Sequence, residues 1–381
     1  MKVLHVTHSF FPYSYGGREK MVLEWSRCLR DKNNEVFIVT SSDSFYKFER
    51  KIIDGIEVYY LPTLKIDLIS SVYRIPFFLF QFLLKRDFDI CHVHDIHHFT
   101  TLLSVIVCRI KKKPVVLSYH GFYPDCGLVY VISRIYEILF LKFIKNSLVK
   151  VVVPLEFSRE EIIRKFGVSE KKVVVIPNFI SFPLKTKDIS FKKIHNLSKY
   201  MLTIARFSKE KGFEYLLNAL RIVFKKYKKI KMVLIGGNRR YLKIISSLIK
   251  NLDLENRLII VNNASDEEIY SAIKECELFI LPSIYEPFGI VILEAMYFGK
   301  PVIAFNRGGP KELIKNGFNG LLVGLNSKSL ADAIFRLLED KKTAKLISKN
   351  SLNFVKRYDR RNFVEFVNKF YRKILINKAY K

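Results

Sequence analysis

The chain has 381 residues, 49% hydrophobic and 27% charged, and carries 65 Lys and Arg against 36 Asp and Glu for a formal charge of +29. That balance excludes a largely disordered chain, and the length suffices for two domains with separate cores. Nothing reaches the roughly 18 continuous apolar residues of a membrane-spanning helix, and residues 1–7 turn polar at His5 and His8 too soon for a signal-peptide core.

Residues 3–7, 35–40, 56–60, 90–94, 115–119, 150–154 and 173–176 are β-branched and almost continuously apolar. Strands buried on both faces of a parallel sheet read this way. Residues 18–32 and 158–167 read as helices between them, the second ending on Gly167. Alternation of the two predicts a doubly wound, right-handed α/β unit over residues 1–182. Residues 183–199 are lysine-rich, lack periodicity and open with Pro183, so they read as a linker. The pattern then restarts, with strands 200–205, 232–236, 258–261, 278–281, 301–305 and 320–323. Helices 212–226, 240–252, 266–274, 289–298 and 329–338 complete a second Rossmann-like unit over residues 200–357. A closing helix at about 358–381 is expected to pack back on the first unit. Two such units facing across a cleft would bind ligands at their strand ends.

Three constellations bear chemistry. Tyr285-Glu286-Pro287-Phe288-Gly289-Ile290 follows a buried strand and opens a helix that carries Glu294. Amides at Phe288, Gly289 and Ile290 would sit at that helix start, where anions and sugar hydroxyls are favoured. Read alone, the stretch is also consistent with a capped helix bearing an incidental surface glutamate. Arg206 and Lys211 stand on the turn between strand 200–205 and helix 212–226, placed to neutralise a diphosphate. Gly16-Gly17 lies between the first strand and first helix, where backbone can approach a phosphate closely. It is not the G-x-G-x-x-G dinucleotide fingerprint.

Taken in order, His8-Ser9-Phe10-Phe11-Pro12 with Gly16-Gly17, Ser118-Tyr119-His120-Gly121, Ile176-Pro177-Asn178, Arg206 with Lys211-Gly212, Ile235-Gly236-Gly237, Glu286 with Glu294, and Gly308-Gly309-Pro310-Lys311-Glu312 resemble glycosyltransferase family 4. The resemblance covers nearly the whole chain and implies the two-domain GT-B fold. It implies a retaining transferase that takes a sugar from a nucleoside diphosphate sugar, UDP- or GDP-linked, to a lipid-linked or glycan acceptor. Glu294 then matches the glutamate that binds the donor ribose, and Glu286 its partner near the donor sugar. Arg206 and Lys211 match the pair that meets the departing diphosphate. Gly17 matches the backbone against it, and His120 a histidine beside the reacting sugar. No enzymic nucleophile is assigned. Departures are Ala205 where glycine is usual before the arginine, Asn178-Phe179-Ile180-Ser181 in place of an Asn-Gly-Val-Asp run, and Asn238 after Gly236-Gly237.

No cofactor and no metal are expected. Cys91-His92-Val93-His94-Asp95 with His97 and His98 has metal-like composition, but the family carries His and Asp at this strand end without one. Asp87-Phe88-Asp89 spells a D-x-D but precedes a strand, so Asp89 reads as strand-entry punctuation. Cys28, Cys91, Cys108, Cys126 and Cys276 are scattered and form no C-x-x-C, which points to a reduced, cytoplasmic compartment. The positive charge is spread along the chain, as a lysine-favouring genome or an anionic membrane surface would each explain. Of two aromatic, basic stretches, 130–150 reads as a core helix and 74–86 as a candidate for the membrane interface. Two rival functions are a GT-B-type nucleotide-sugar epimerase and a basic nucleic-acid-binding protein. The second lacks any aromatic RNA-binding signature, so no nucleic acid is expected.

Overall fold

The computed structural model describes residues 1–67, 72–121, 128–184, 189–262 and 264–379. Cys126 and positions 185–188 of the expected linker lie outside them. The chain divides into two compact units, Met1–Ser181 with Arg360–Lys381, and Phe182–Asp359.

The first unit holds β1 (Lys2–Val6), β2 (Glu35–Ser41), β3 (Glu49–Ile53), β4 (Ile56–Leu61), β5 (Thr63–Asp67), β6 (Val72–Pro76), β7 (Ile90–His94), β8 (Val115–Ser118), β9 (Leu148–Val153) and β10 (Val173–Val175). Eight of them form one sheet in the order β10-β9-β8-β7-β1-β2-β4-β3. Every neighbouring pair in it is parallel except β3 with β4. The strand β3 escapes an apolar-run criterion because three of its five residues, Glu49, Arg50 and Lys51, are charged, as suits an open sheet edge. The hairpin β5/β6 is a further addition to the expected strands. Helices α1 (Gly17–Arg30), α2 (Leu79–Lys85), α3 (Phe99–Ile110), α4 (Leu128–Tyr136), α5 (Lys142–Ser147) and α6 (Glu156–Phe166) connect the strands. In α1 the buried Met21, Val22, Trp25, Cys28 and Leu29 recur at helical spacing and make one apolar stripe. Against it lies the closing helix Val364–Ala379, whose Phe370 and Tyr371 rings meet Trp25 edge-on at 6.1 and 5.8 Å.

In the second unit β11 (Tyr200–Ile204), β12 (Lys231–Gly236), β13 (Leu258–Asn262), β14 (Leu278–Leu281), β15 (Val302–Phe305) and β16 (Leu321–Val323) form a parallel sheet in the order β13-β12-β11-β14-β15-β16. Its helices are α7 (Phe191–Ile194), α8 (Phe213–Lys226), α9 (Arg239–Asn251), α10 (Asp266–Glu275), α11 (Ile290–Tyr297), α12 (Gly308–Leu313), α13 (Ser327–Glu339) and α14 (Lys341–Val355). Where described, the segment read as a linker is packed into this unit. Phe191 is fully buried, its N–H donates to Ser271 Oγ at 3.0 Å, and the Lys192 N–H donates to Glu275 Oε2 at 2.7 Å. Its lysines hide one short capped helix from a periodicity reading.

Each sheet reverses its winding direction once. In the first unit β1 has β2 on one side and β7 on the other, and in the second β11 has β12 on one side and β14 on the other. Open α/β sheets bind ligands outside the carboxyl ends of strands at such switch points. The loops that follow β1, β7, β11 and β14 are therefore where chemistry is sought.

Candidate active site

At the switch point of the second unit, the turn after β11 and the loop after β14 are tied together. The N–H groups of Ile284 and Tyr285 both donate to the Glu210 carbonyl, at 2.8 and 3.2 Å. Gly212 has φ +65°, and a Cβ there would lie 2.0 Å from the Pro282 carbonyl oxygen, so only glycine admits this approach. The tie brings together two residues that the sequence separates. Lys211 Nζ donates to Glu286 Oε2 at 2.8 Å, with both side chains largely buried at 14% and 16% exposure. Arg206 differs. It is 69% exposed and holds Glu210 through one ion pair of 3.0 Å. Burial works against the Glu210 charge, but Arg206 and the Ser208 hydroxyl outweigh it and keep that carboxyl below its ordinary range.

Gly289 precedes α11 with φ +96°, Phe288 and Ile290 are buried beside it, and Glu294 is buried in the second turn of that helix. Sequence reasoning leaves Gly308 and Gly309 off the site, yet they fix this loop. The Gly309 N–H donates to the Glu286 carbonyl at 2.7 Å, and a Cβ on Gly309 would sit 2.4 Å from the Phe288 carbonyl oxygen. The paired glycines are legible as a motif, but their contact lies about twenty residues away in the chain.

In the first unit Gly16 caps α1 in an extended conformation and Gly17 is its first residue. The loop before them is organised by Glu19, a residue that sequence reasoning misses. Its Oε1 accepts from Ser9 Oγ, Ser14 Oγ and Arg18 at 2.8–2.9 Å. Arg18 also donates to Asp95 Oδ2 at 2.9 Å, and Asp95 Oδ1 accepts the His120 N–H at 3.1 Å. One buried acid–base string thus links the glycine loop after β1, the end of β7 and the residue that follows Tyr119 after β8. Asp87 and Asp89 lie at the opposite, amino ends of the strands, where Asp89 Oδ2 accepts the Lys2 N–H at 2.7 Å.

The profile described as "Glycosyltransferase Family 4" matches residues 15–182, and that described as "Glycosyl transferases group 1" matches residues 185–354. The chain belongs to the glycosyltransferases of the family 4 type. Among its relatives is the Escherichia coli UDP-Gal:alpha-D-GlcNAc-diphosphoundecaprenol alpha-1,3-galactosyltransferase, 27% identical over 327 residues, which are 81% of this chain and 83% of that one. Another is the Campylobacter jejuni N,N'-diacetylbacillosaminyl-diphospho-undecaprenol alpha-1,3-N-acetylgalactosaminyltransferase, 25% identical over 92% of this chain and 94% of its own. The solved structure of Anabaena HepE with UDP and glucose superposes with a TM-score of 0.78 at 23% identity, covering 99% of this chain and 100% of that one. The fold is accordingly GT-B, with two Rossmann-like units.

Among the described residues of this glycosyltransferase, two groups in the first unit bring metal-ligating atoms together, His5 with His92 and His94, and His8 with Asp95 and His98. In the first group the nitrogens already serve one another and their neighbours. His5 Nδ1 and His94 Nε2 are 3.0 Å apart, while His92 is engaged by Ser118 Oγ at 2.8 Å and by the Tyr371 hydroxyl. A cation entering there would have to break these bonds.

Of the two aromatic, basic stretches, 130–150 comes out differently from the expectation. Residues 130–142 do not form a core helix throughout. Ile138 and Leu139, on the π-helical turn Glu137–Leu141, are 76% and 62% exposed. In the earlier stretch Phe80 and Phe82 pack on the core, and Phe78 is exposed. The outward apolar stripe begins before the π turn, with Val131 and Ile135 also exposed, so the helical periodicity of 130–150 is present but this stripe does not face the core. Among the described residues no helix is long and apolar enough to cross a membrane.

Proposed function

We propose that this glycosyltransferase moves a hexose from a nucleoside diphosphate sugar, UDP- or GDP-linked, to a lipid-linked or glycan acceptor, with retention at the anomeric carbon. The observation that carries the reading is the Lys211–Glu286 pair at the switch point of the second sheet, with Arg206 exposed beside it and Glu294 in the helix that follows. Breaking a glycosyl–phosphate bond builds negative charge on the departing diphosphate, and fixed cations aimed at that charge lower the barrier. Lys211 and Arg206 take this role, aided by amides at Phe288, Gly289 and Ile290. Glu294 binds the ribose hydroxyls and Glu286 those of the sugar. Gly16 and Gly17 bring backbone close to the diphosphate, and His120 lies beside the sugar. No metal ion is needed for this charge stabilisation.

Relatives acting on diphosphoundecaprenol-linked sugars support a lipid-linked acceptor. UDP in the Anabaena structure supports a uridine donor. An acceptor of that kind is met at a membrane, so the enzyme works in the cytoplasm as a peripheral protein on the inner face. Its charge of +29 suits an anionic surface, and the exposed Ile138, Leu139, Tyr46 and Phe78 offer apolar contacts.

The test is thermal shift with UDP and GDP, followed by transfer from the stabilising donor to a polyprenyl-diphosphate sugar, with and without EDTA. A nucleotide at 100 times its Kd adds about 2.7 kcal/mol of stability. No shift with any nucleoside diphosphate would sink the donor reading. Isomerised donor in the absence of acceptor would point to an epimerase instead.

A further inference from the structure

Parallel register sets His5 on β1 beside His92 on β7, and His94 on β7 beside Ser118 on β8. Their rings, with that of His120, form a string. His5 Nδ1 lies 3.0 Å from His94 Nε2, and His94 Nδ1 lies 3.0 Å from His120 Nε2. His5 and His94 are fully buried, whereas His120 is partly exposed at the carboxyl end of β8. At the inner end, the buried His5 Nε2 has no hydrogen-bond partner. At the outer end, His120 Nδ1 takes no bond from the described residues, and the His120 backbone is held by Asp95.

A neutral imidazole carries one N–H and one bare nitrogen. Burial keeps these rings neutral, pushing His5 down to about 3, His94 well below its ordinary value and His120 below it as well. Two proton arrangements remain for the string. If His120 donates inward through Nε2, the last proton falls on His5 Nε2, a buried N–H with nothing to receive it. If the bonds run outward, His5 donates to His94, His94 donates to His120, and the unpaired atom is a bare acceptor nitrogen. Orphaned buried N–H groups are rarer than under-satisfied acceptors. The outward arrangement is preferred, and it fixes what His120 can offer.

We propose that His94, and behind it His5, are positioning residues that hold the ring proton of His120 on Nδ1, so that His120 meets the substrate as a hydrogen-bond donor and not as a base. The proposal rests on the reading that His120 lies beside the transferred sugar. It excludes proton uptake at Nε2, because that nitrogen already accepts from His94.

The direct test is long-range ¹H–¹⁵N correlation of the protein labelled with ¹⁵N-histidine, with His120 assigned by its loss in His120→Gln. A proton on Nδ1 is expected. A proton on Nε2 overturns the proposal, whatever the variants do. Kinetics supply the second arm. His94→Asn keeps an amide donor near the position of Nδ1, and His94→Leu removes it. The leucine variant should lose about tenfold in kcat, roughly one hydrogen bond's net worth, with the donor KM within about twofold. The asparagine variant should recover most of the loss. Wild-type kcat in a folded His94→Leu overturns the string while leaving the site reading intact. Wild-type kcat in His120→Ala overturns the site reading itself, and the proposal with it.

Discussion

Lys211 and Glu286 are 75 residues apart and share one ion pair, with little water around either. Removing one member of a buried pair strands the other charge, which is costly, whereas removing both together is close to neutral. Stability and turnover should therefore separate. Lys211→Met and Glu286→Gln should each lower stability by about 1–2 kcal/mol, below the fully buried figure because both groups keep some solvent. The double variant should recover most of that loss in thermal midpoint, yet stay about 10²-fold or more down in kcat, because the charge proposed to meet the diphosphate is gone. Recovery of turnover in the double variant would show that the pair is structural. Arg206 gives the contrasting case. Its guanidinium is mostly exposed but its partner Glu210 is buried, so replacement by alanine should cost about 1 kcal/mol or less in stability, Ser208 still holding that carboxylate, and still cost kcat about 10²-fold. Wild-type turnover in Arg206→Ala would remove it from the site. The charges of these residues are legible in the sequence, but their pairing is not. Nothing local in the order Arg206, Glu210, Lys211, Glu286 says which cation meets which acid, or that Lys211 is buried with Glu286 while Arg206 stays exposed against Glu210.

Among elements, the turn after β11 and the loop after β14 act as one piece through Gly212, whose absent side chain admits the Pro282 carbonyl. Gly317 supplies the control, with φ +76° and nothing within 4 Å of where a Cβ would stand. Alanine at Gly317 meets only the left-handed backbone strain, about 1–2 kcal/mol. Alanine at Gly212 meets the same strain plus a backbone clash. It should destabilise by more than Gly317→Ala and weaken nucleotide binding as well, read by denaturant midpoint and by titration with UDP. Equal effects at the two positions would mean that the loops are not coupled. At this scale most of the parallel strands are legible, since strands buried on both faces announce themselves as apolar runs. The exceptions have local physical causes. The edge strand β3 is charged along most of its length, α7 is a single turn among lysines, and the apolar stripe of Val131, Ile135, Ile138 and Leu139 has helical spacing without facing the core.

Over the whole molecule, histidine is distributed unevenly. His195 lies in the second unit, and the other seven lie in the first. Burial depresses His5 and His98 to about 3 and lowers His92, His94 and His120. The sign follows from comparing the two states. Above the unfolded value near 6.5 these rings are neutral in both states, and their contribution to stability is complete. As pH falls below 6.5, the unfolded chain takes up protons that the folded unit refuses, so stability is lost progressively toward the depressed folded values. Each refused proton costs about 1.4 kcal/mol per pH unit. Asp95 and Glu19, held below the ordinary carboxylate range by Arg18 and their other partners despite burial, add their own loss only in stronger acid. Between pH 6.5 and 4.5 the histidines therefore dominate. Calorimetry at pH 7, 6 and 5 should show the transition of the first unit fall by more than about 5 °C, with hydrogen exchange locating the loss in β1, β7 and β8. The strands β11 and β14 should keep their protection over the same range. Loss of protection in both units together would show that the acid response is not set by the histidines of the first.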